Sequence, residues 1–195
     1  MVAQVRTRAQ RHDLWVTWMV VGLFVVALLL GWAVRTAAEG RTVSYEAGGL
    51  RLRYPAGWVR ANAQPPILLQ AEKWVAPFRN TLTLQVRPLP QGAARPFGAI
   101  QQALALERAR TWMAYRVLGT EEAANIGRRT GSHVTFAYVE TNANPFLETI
   151  PVVMRGEEYL LQVGDQVQIV TLTAAEDNYV RAQKDLRAFV RFLAQ

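Results

Sequence analysis

The sequence predicts an α+β protein in which a single N-terminal transmembrane helix precedes an antiparallel sheet with helices packed on it. Three observations lead there. Leu14–Val34 is apolar on every side, and Thr17 is its one polar side chain. From Thr42 the apolar period changes to two, in runs separated by glycine and proline. Pro96–Trp112 and Asp177–Leu193 return to a helical period, one amid the strands and one after them. Because the strands alternate instead of being apolar throughout, antiparallel pairing is expected.

The expected organisation is a short basic tail (1–13), a transmembrane helix (14–34), a polar linker (35–41) and one globular domain (42–195). About 20 apolar residues rising about 1.5 Å each cross a hydrocarbon core roughly 30 Å thick. A helix apolar all round needs lipid or a large core, and 195 residues cannot supply two large cores. Trp15 and Trp18 at one end and Trp32 at the other suit the headgroup boundary, and Leu14 opens the span. Ala27 and Gly31, four apart, form a small-residue face for another helix, with Gly22 out of register. A cleavable signal has an apolar region of about 7–15 residues, shorter than this one, so an uncleaved signal-anchor is expected. Arg6, Arg8 and Arg11 precede the span, while Arg35 and Arg41 follow it. A short charged tail stays inside more easily than a folding domain. The expected topology is therefore N-terminus cytoplasmic, with the domain on the outer, periplasmic or extracellular face of a plasma or inner membrane. The brief linker would hold that domain close to the bilayer.

Along the domain, VSYE, Gly48-Gly49 and LRLRY read as a first hairpin, and YPAGW (Tyr54–Trp58) as a turn that folds Trp58 back on the core. Ile67–Trp74 and Asn80–Leu89 are two further strands; in the second, Leu82, Leu84 and Val86 alternate with Thr81, Thr83, Gln85 and Arg87. Pro96 opens a helix, as proline does at a first helical position. Its expected core residues are Ile100, Ala103, Leu104 and Leu106, with Glu107, Arg108 and Arg110 toward water. RVLGTEEAANI and HVTFAYVET flank a GRRTGS turn, and two long strands flank Gly164-Asp165. The last helix has Asp177 as its expected N-cap and Val180, Leu186, Phe189, Val190 and Leu193 as its apolar stripe.

Chemistry is sparse. Without cysteine there is no disulfide, thiolate zinc site or iron–sulfur cluster. Of the two histidines, His12 precedes the span and His133 begins a strand, so they cannot share a site. Ser44 and Ser132 sit in neither GxSxG nor SxxK, and no phosphate-binding glycine motif occurs. Glu121-Glu122, Glu157-Glu158 and Glu176-Asp177 are adjacent doublets, and neighbours on a strand point to opposite faces, a poor metal clamp. Carboxylates brought together from distant strands are the one enzymatic route left. The net charge of +7 is spread out, unlike a nucleic-acid-binding stripe. The expectation is no catalytic, cofactor-binding or metal-ligating residue, no cofactor, no nucleic acid and no small-molecule substrate. What remains is contact surface: Trp74, Phe78, Phe97 and Phe146 are the candidate partner contacts.

The order of landmarks resembles the PsbP-like family: an opening hairpin into YPAGW, two strands, a helix, a strand into the Ile126–Gly131 turn, HVTFAYVE, two closing strands and the Glu176–Leu193 helix. The resemblance covers about residues 42–195 and omits the span. It implies an α/β/α sandwich with a central antiparallel sheet, and accessory, stabilising or binding roles instead of catalysis. No site residues transfer from it, and a recognisable acidic cluster for calcium or chloride retention is missing. The expected function is a non-catalytic, single-pass accessory subunit of a larger membrane complex, with photosynthetic or respiratory electron transfer as the setting the resemblance suggests. Its partners would be the lipid bilayer and other subunits. The alternative is a freestanding anchored module that binds a ligand or envelope component.

Overall fold

The computed structural model describes residues 8–39, 41–47, 50–75, 78–92, 95–126, 129–141 and 151–193. The chain divides into two units, Met1–Arg41 and Thr42–Gln195. The first is built on α1, Arg8–Glu39. No proline interrupts it and Thr-Ala-Ala-Glu continues a helix readily, so α1 runs through most of the predicted linker. Thr36 Oγ1 returns to the carbonyls of Trp32 and Ala33, at 3.1 and 3.0 Å.

In the second unit, β1 (Thr42–Ala47) and β2 (Leu50–Pro55) form the predicted hairpin as a separate two-stranded sheet. The large sheet comprises β3 (Val59–Ala61), β4 (Ile67–Val75), β5 (Phe78–Pro88), β6 (Met113–Ile126), β7 (Arg129–Glu140), β8 (Val152–Val163) and β9 (Gln166–Ala175). These seven strands run in the order β3-β4-β5-β9-β8-β7-β6, antiparallel throughout. The helices are α2 (Pro96–Thr111), between β5 and β6, and α3 (Tyr179–Leu193). Strands reach closer to their turns than expected: β4 and β5 leave only residues 76–77 between them, and Gly131 and Ser132 lie inside β7. Gly164, at φ +60°, makes the β8–β9 turn possible.

Each face of the sheet has its own core. On one face, Leu186 and Phe189 of α3 pack with Leu52 and Trp58 from the hairpin region against Leu82, Leu161 and Leu172. Trp58 folds back as expected, 3% exposed, and its Nε1 donates to Asp185 Oδ2 at 2.9 Å. On the other face, Ile100 and Leu104 of α2 cover Val134, Leu160, Val167 and Ile169. Helices therefore lie on both sides of a central antiparallel sheet.

Three helix readings are corrected. In α2 the buried stripe is Ile100, Leu104 and Arg108, spaced by four, so Arg108 faces in, while Ala103 and Leu106, the latter 58% exposed, face out. The angular step of about 100° per residue overrides side-chain polarity, because Arg108 finds a buried partner. In α3, Val180 is 68% exposed and Tyr179 takes its place in the core. That helix also starts after a turn at 176–178, with the Asn178 carbonyl accepting from the Arg181 and Ala182 amides, so Asp177 is not its cap.

Candidate functional site

The polar centre of the domain is Glu157-Glu158, adjacent on β8 and each 1% exposed. Strand geometry sends the two carboxylates to opposite faces, as the alternation rule requires. Glu158 enters the α2 side. Arg108 reaches it through both terminal guanidinium nitrogens, Nη1 to Oε2 at 3.0 Å and Nη2 to Oε1, and Thr171 Oγ1 donates to Oε1 at 2.8 Å. The guanidinium also stands 4.7 Å from the centre of the Phe136 ring and 5.2 Å from that of Trp112. Burial would lower the Arg108 pKa, but Glu158 outweighs it and raises it, so the charge is kept. The pair ties α2 to β8 and β9.

Glu157 enters the α3 side. Tyr159 Oη donates to its Oε1 at 2.6 Å, while Tyr179 Oη and Gln183 Nε2 donate to Oε2 at 2.9 and 2.8 Å. His133 Nε2 lies 2.8 Å from Oε1, in a close contact that misses hydrogen-bond alignment. Burial alone would raise this carboxyl. The surrounding donors win and hold it at about 2. The same burial, with the nearby carboxylate, pushes the Tyr159 and Tyr179 phenols up. His133 stacks on Tyr159 with ring centres 4.6 Å apart. His133, Glu157 and Tyr159 form the wall of a cleft of about 530 Å³ that Gln183 and Arg187 of α3 also line. Chemically, Glu157 is an acceptor already in use on both oxygens. It orients its neighbours and has little basicity left to offer.

Beside α2, a second cleft of about 270 Å³ is lined by Thr81, Thr83, Thr171 and Thr173. These stand as two directly opposed cross-strand pairs, Thr81 with Thr173 and Thr83 with Thr171. It continues, through the shared Thr81, Trp112 and Thr173, into a third cleft of about 500 Å³ that Trp74 and Phe78 border. Among the described residues, no three His, Asp or Glu side chains converge as a metal-holding group.

The sequence-predicted residues are placed as follows. Leu14 lies in α1, and Trp15, Trp18 and Trp32 project from it, about 70% exposed. Gly22 and Gly31 have open space beside them, and Ala27 is exposed. Of the candidate partner contacts, Trp74 is 66% exposed. Phe78 is buried with Phe136, Tyr138 and Met154, so its ring belongs to the core. Phe97 is half-buried against the α2 cluster. Phe146 lies outside the described residues. Arg108, Tyr159, Tyr179 and Gln183 were not singled out as site residues. For Arg108 the spacing from Ile100 and Leu104 was the available signal; nothing in the sequence pairs Glu157 with α3.

An N-terminal apolar helix, then an antiparallel sheet carrying helices on both faces, defines an α+β architecture. Among solved structures, a cyanobacterial PsbP (CyanoP) from Synechocystis is 13% identical, covering 76% of this chain and 88% of its own, with a TM-score of 0.48. The Ran-binding protein Mog1p of Saccharomyces cerevisiae is 10% identical over 78% and 90%, with a TM-score of 0.45. LpqN of Mycobacterium tuberculosis, involved in cell envelope biogenesis, is 10% identical over 78% and 88%, with a TM-score of 0.46. At such identities the likeness concerns the arrangement of elements and says nothing of ligands. No protein-family model and no curated protein matches the chain.

Proposed function

We propose that this protein is a non-catalytic, single-pass accessory subunit of a larger membrane complex, its N-terminus cytoplasmic and its domain on the outer face. One observation carries the reading: Trp15–Ala37 is a helix in which no residue is buried and whose most apolar 18 residues have a mean hydropathy of 2.3. That much exposed apolar surface is stable only in lipid or against other apolar helices. The domain follows within a few residues, so helix and domain can engage one assembly together, the second contact gaining from the first through effective concentration. The non-catalytic part is supported by the use already made of the buried acids, Glu157 by its ring of donors and Glu158 by Arg108. A photosynthetic or respiratory electron-transfer complex is the setting that the PsbP-like resemblance suggests.

A second reading, an anchored module that binds a ligand on its own, is favoured by the clefts beside α2. Extraction of native membranes with a mild detergent, followed by a native gel, separates the two. Co-migration with large partners is expected. A small lone band would overturn the subunit reading.

A further inference from the structure

The third cleft has a composition unlike the rest of this basic chain. Two carboxylates, Glu72 of β4 and Glu140 of β7, face it with one guanidinium, Arg79 of β5. Arg79 is committed: its Nη1 donates to Glu72 Oε2 at 2.8 Å. Glu140 has no such partner. Its neighbour is the Tyr138 hydroxyl at 3.5 Å, and among the described residues no basic side chain pairs with it. Burial holds the Glu140 carboxyl above the ordinary range, with the Tyr138 hydroxyl working weakly against it. Glu140 therefore stands at the solvent edge of the cleft as a carboxylate without a basic partner among the described residues, a place where a cation can pair with it.

The walls suit the same charge. Trp74 presents an indole that is 66% exposed, opposite Arg79 in the β4–β5 register. The Arg79 guanidinium lies 5.2 Å from the centre of that ring, so the remaining exposed edge of the indole is what a ligand's apolar stem can meet. Deeper in, Trp112 stacks on Tyr138 with centres 4.3 Å apart, a rigid apolar floor. About 500 Å³ falls within the range of small-ligand pockets, which combine apolar walls with a few convergent polar groups.

We propose that this cleft binds an organic cation, a guanidinium or primary amine carried on a short apolar stem, with its charge on Glu140 and its stem along Trp74 and the Trp112–Tyr138 floor. Such a group comes either on a free small molecule or on a basic side chain of another protein. The inference stands apart from the anchor: failure here leaves the subunit reading untouched, and a lone band on the native gel leaves this one untouched.

Calorimetric titration of the full chain in detergent micelles, at low salt, provides the test. The probes are butylguanidine, its neutral counterpart butylurea, and the blocked tripeptide acetyl-Gly-Arg-Gly-amide. Butylguanidine or the tripeptide is expected to bind while butylurea does not, with tighter binding of the first or the second identifying the free or the side-chain source. Glu140→Gln should weaken binding at least tenfold and Trp74→Ala several-fold, both with an unchanged unfolding midpoint because neither side chain lies in the core. If neither cation binds, if butylurea binds as well as butylguanidine, or if Glu140→Gln leaves affinity unchanged, the proposal is wrong.

Discussion

Removing one member of the Arg108–Glu158 pair should be among the most damaging single changes in the domain. The two side chains are 10% and 2% exposed, so neither lone charge could recover its hydration by turning outward. Arg108→Met leaves Glu158 with only the Thr171 hydroxyl as a donor, and Glu158→Met leaves a guanidinium against Phe136 and Trp112. Breaking a buried pair from one side costs about 3–5 kcal/mol, because the desolvation penalty of the survivor is no longer offset. For a domain of this size each kcal/mol lowers the midpoint by roughly 2–4 °C, so a fall of about 6–20 °C is expected for either single variant. Replacing both residues by methionine removes both charges at once and should recover most of the loss, to within about 2 kcal/mol of the parent. Thermal unfolding of the full chain in detergent, followed by near-ultraviolet circular dichroism, measures all four corners of the cycle. A single variant that loses less than about 1 kcal/mol would refute the reasoning, and so would a double variant no better than the singles.

Glu157 predicts an acid limb of stability. Its carboxyl sits at about 2 when folded, against 4.5 for a free glutamate, so its contribution is complete above about pH 4.5 and disappears as pH falls toward 2. Urea midpoints measured from about pH 6 downward should fall across that window, and Glu157→Gln should lower the plateau and flatten the slope. Gly156→Ala would drive a Cβ into the fully buried Phe136 ring, and a loss of about 1–3 kcal/mol is expected, partly restored by Phe136→Leu, as read by the same urea curves. In α1, Val26→Lys puts a charge midway along Trp15–Ala37, which costs about 3 kcal/mol in a bilayer; the fraction of chain retained in membranes after an alkaline carbonate wash should drop.

Much of the element order was legible because period and punctuation are local. Alternation in Leu82, Leu84 and Val86 identified a strand whichever neighbours it acquired, and Pro96 marked a helix start by its own geometry. The errors fell where a residue's type and its angular position disagree. Arg108 reads as a surface residue until Glu158 is brought from β8, and Val180 reads as core until Tyr179 finds Glu157. The cleft at Trp74 was only half legible. The exposed indole could be suspected from its place near a loop, but its neighbours Trp112 and Glu140 arrive from α2's end and from β7.

By itself, then, the sequence determined the apolar helix, the alternating strands and the opposed directions of Glu157 and Glu158, since each depends on the dihedral period of one stretch of chain. Only the tertiary structure decided which donors surround each acid, which face of α2 is buried, and that β4, β5, β7 and the end of α2 share one cleft. Those depend on the strand order β4-β5-β9-β8-β7, which joins residues far apart in the chain through packing that no local period encodes.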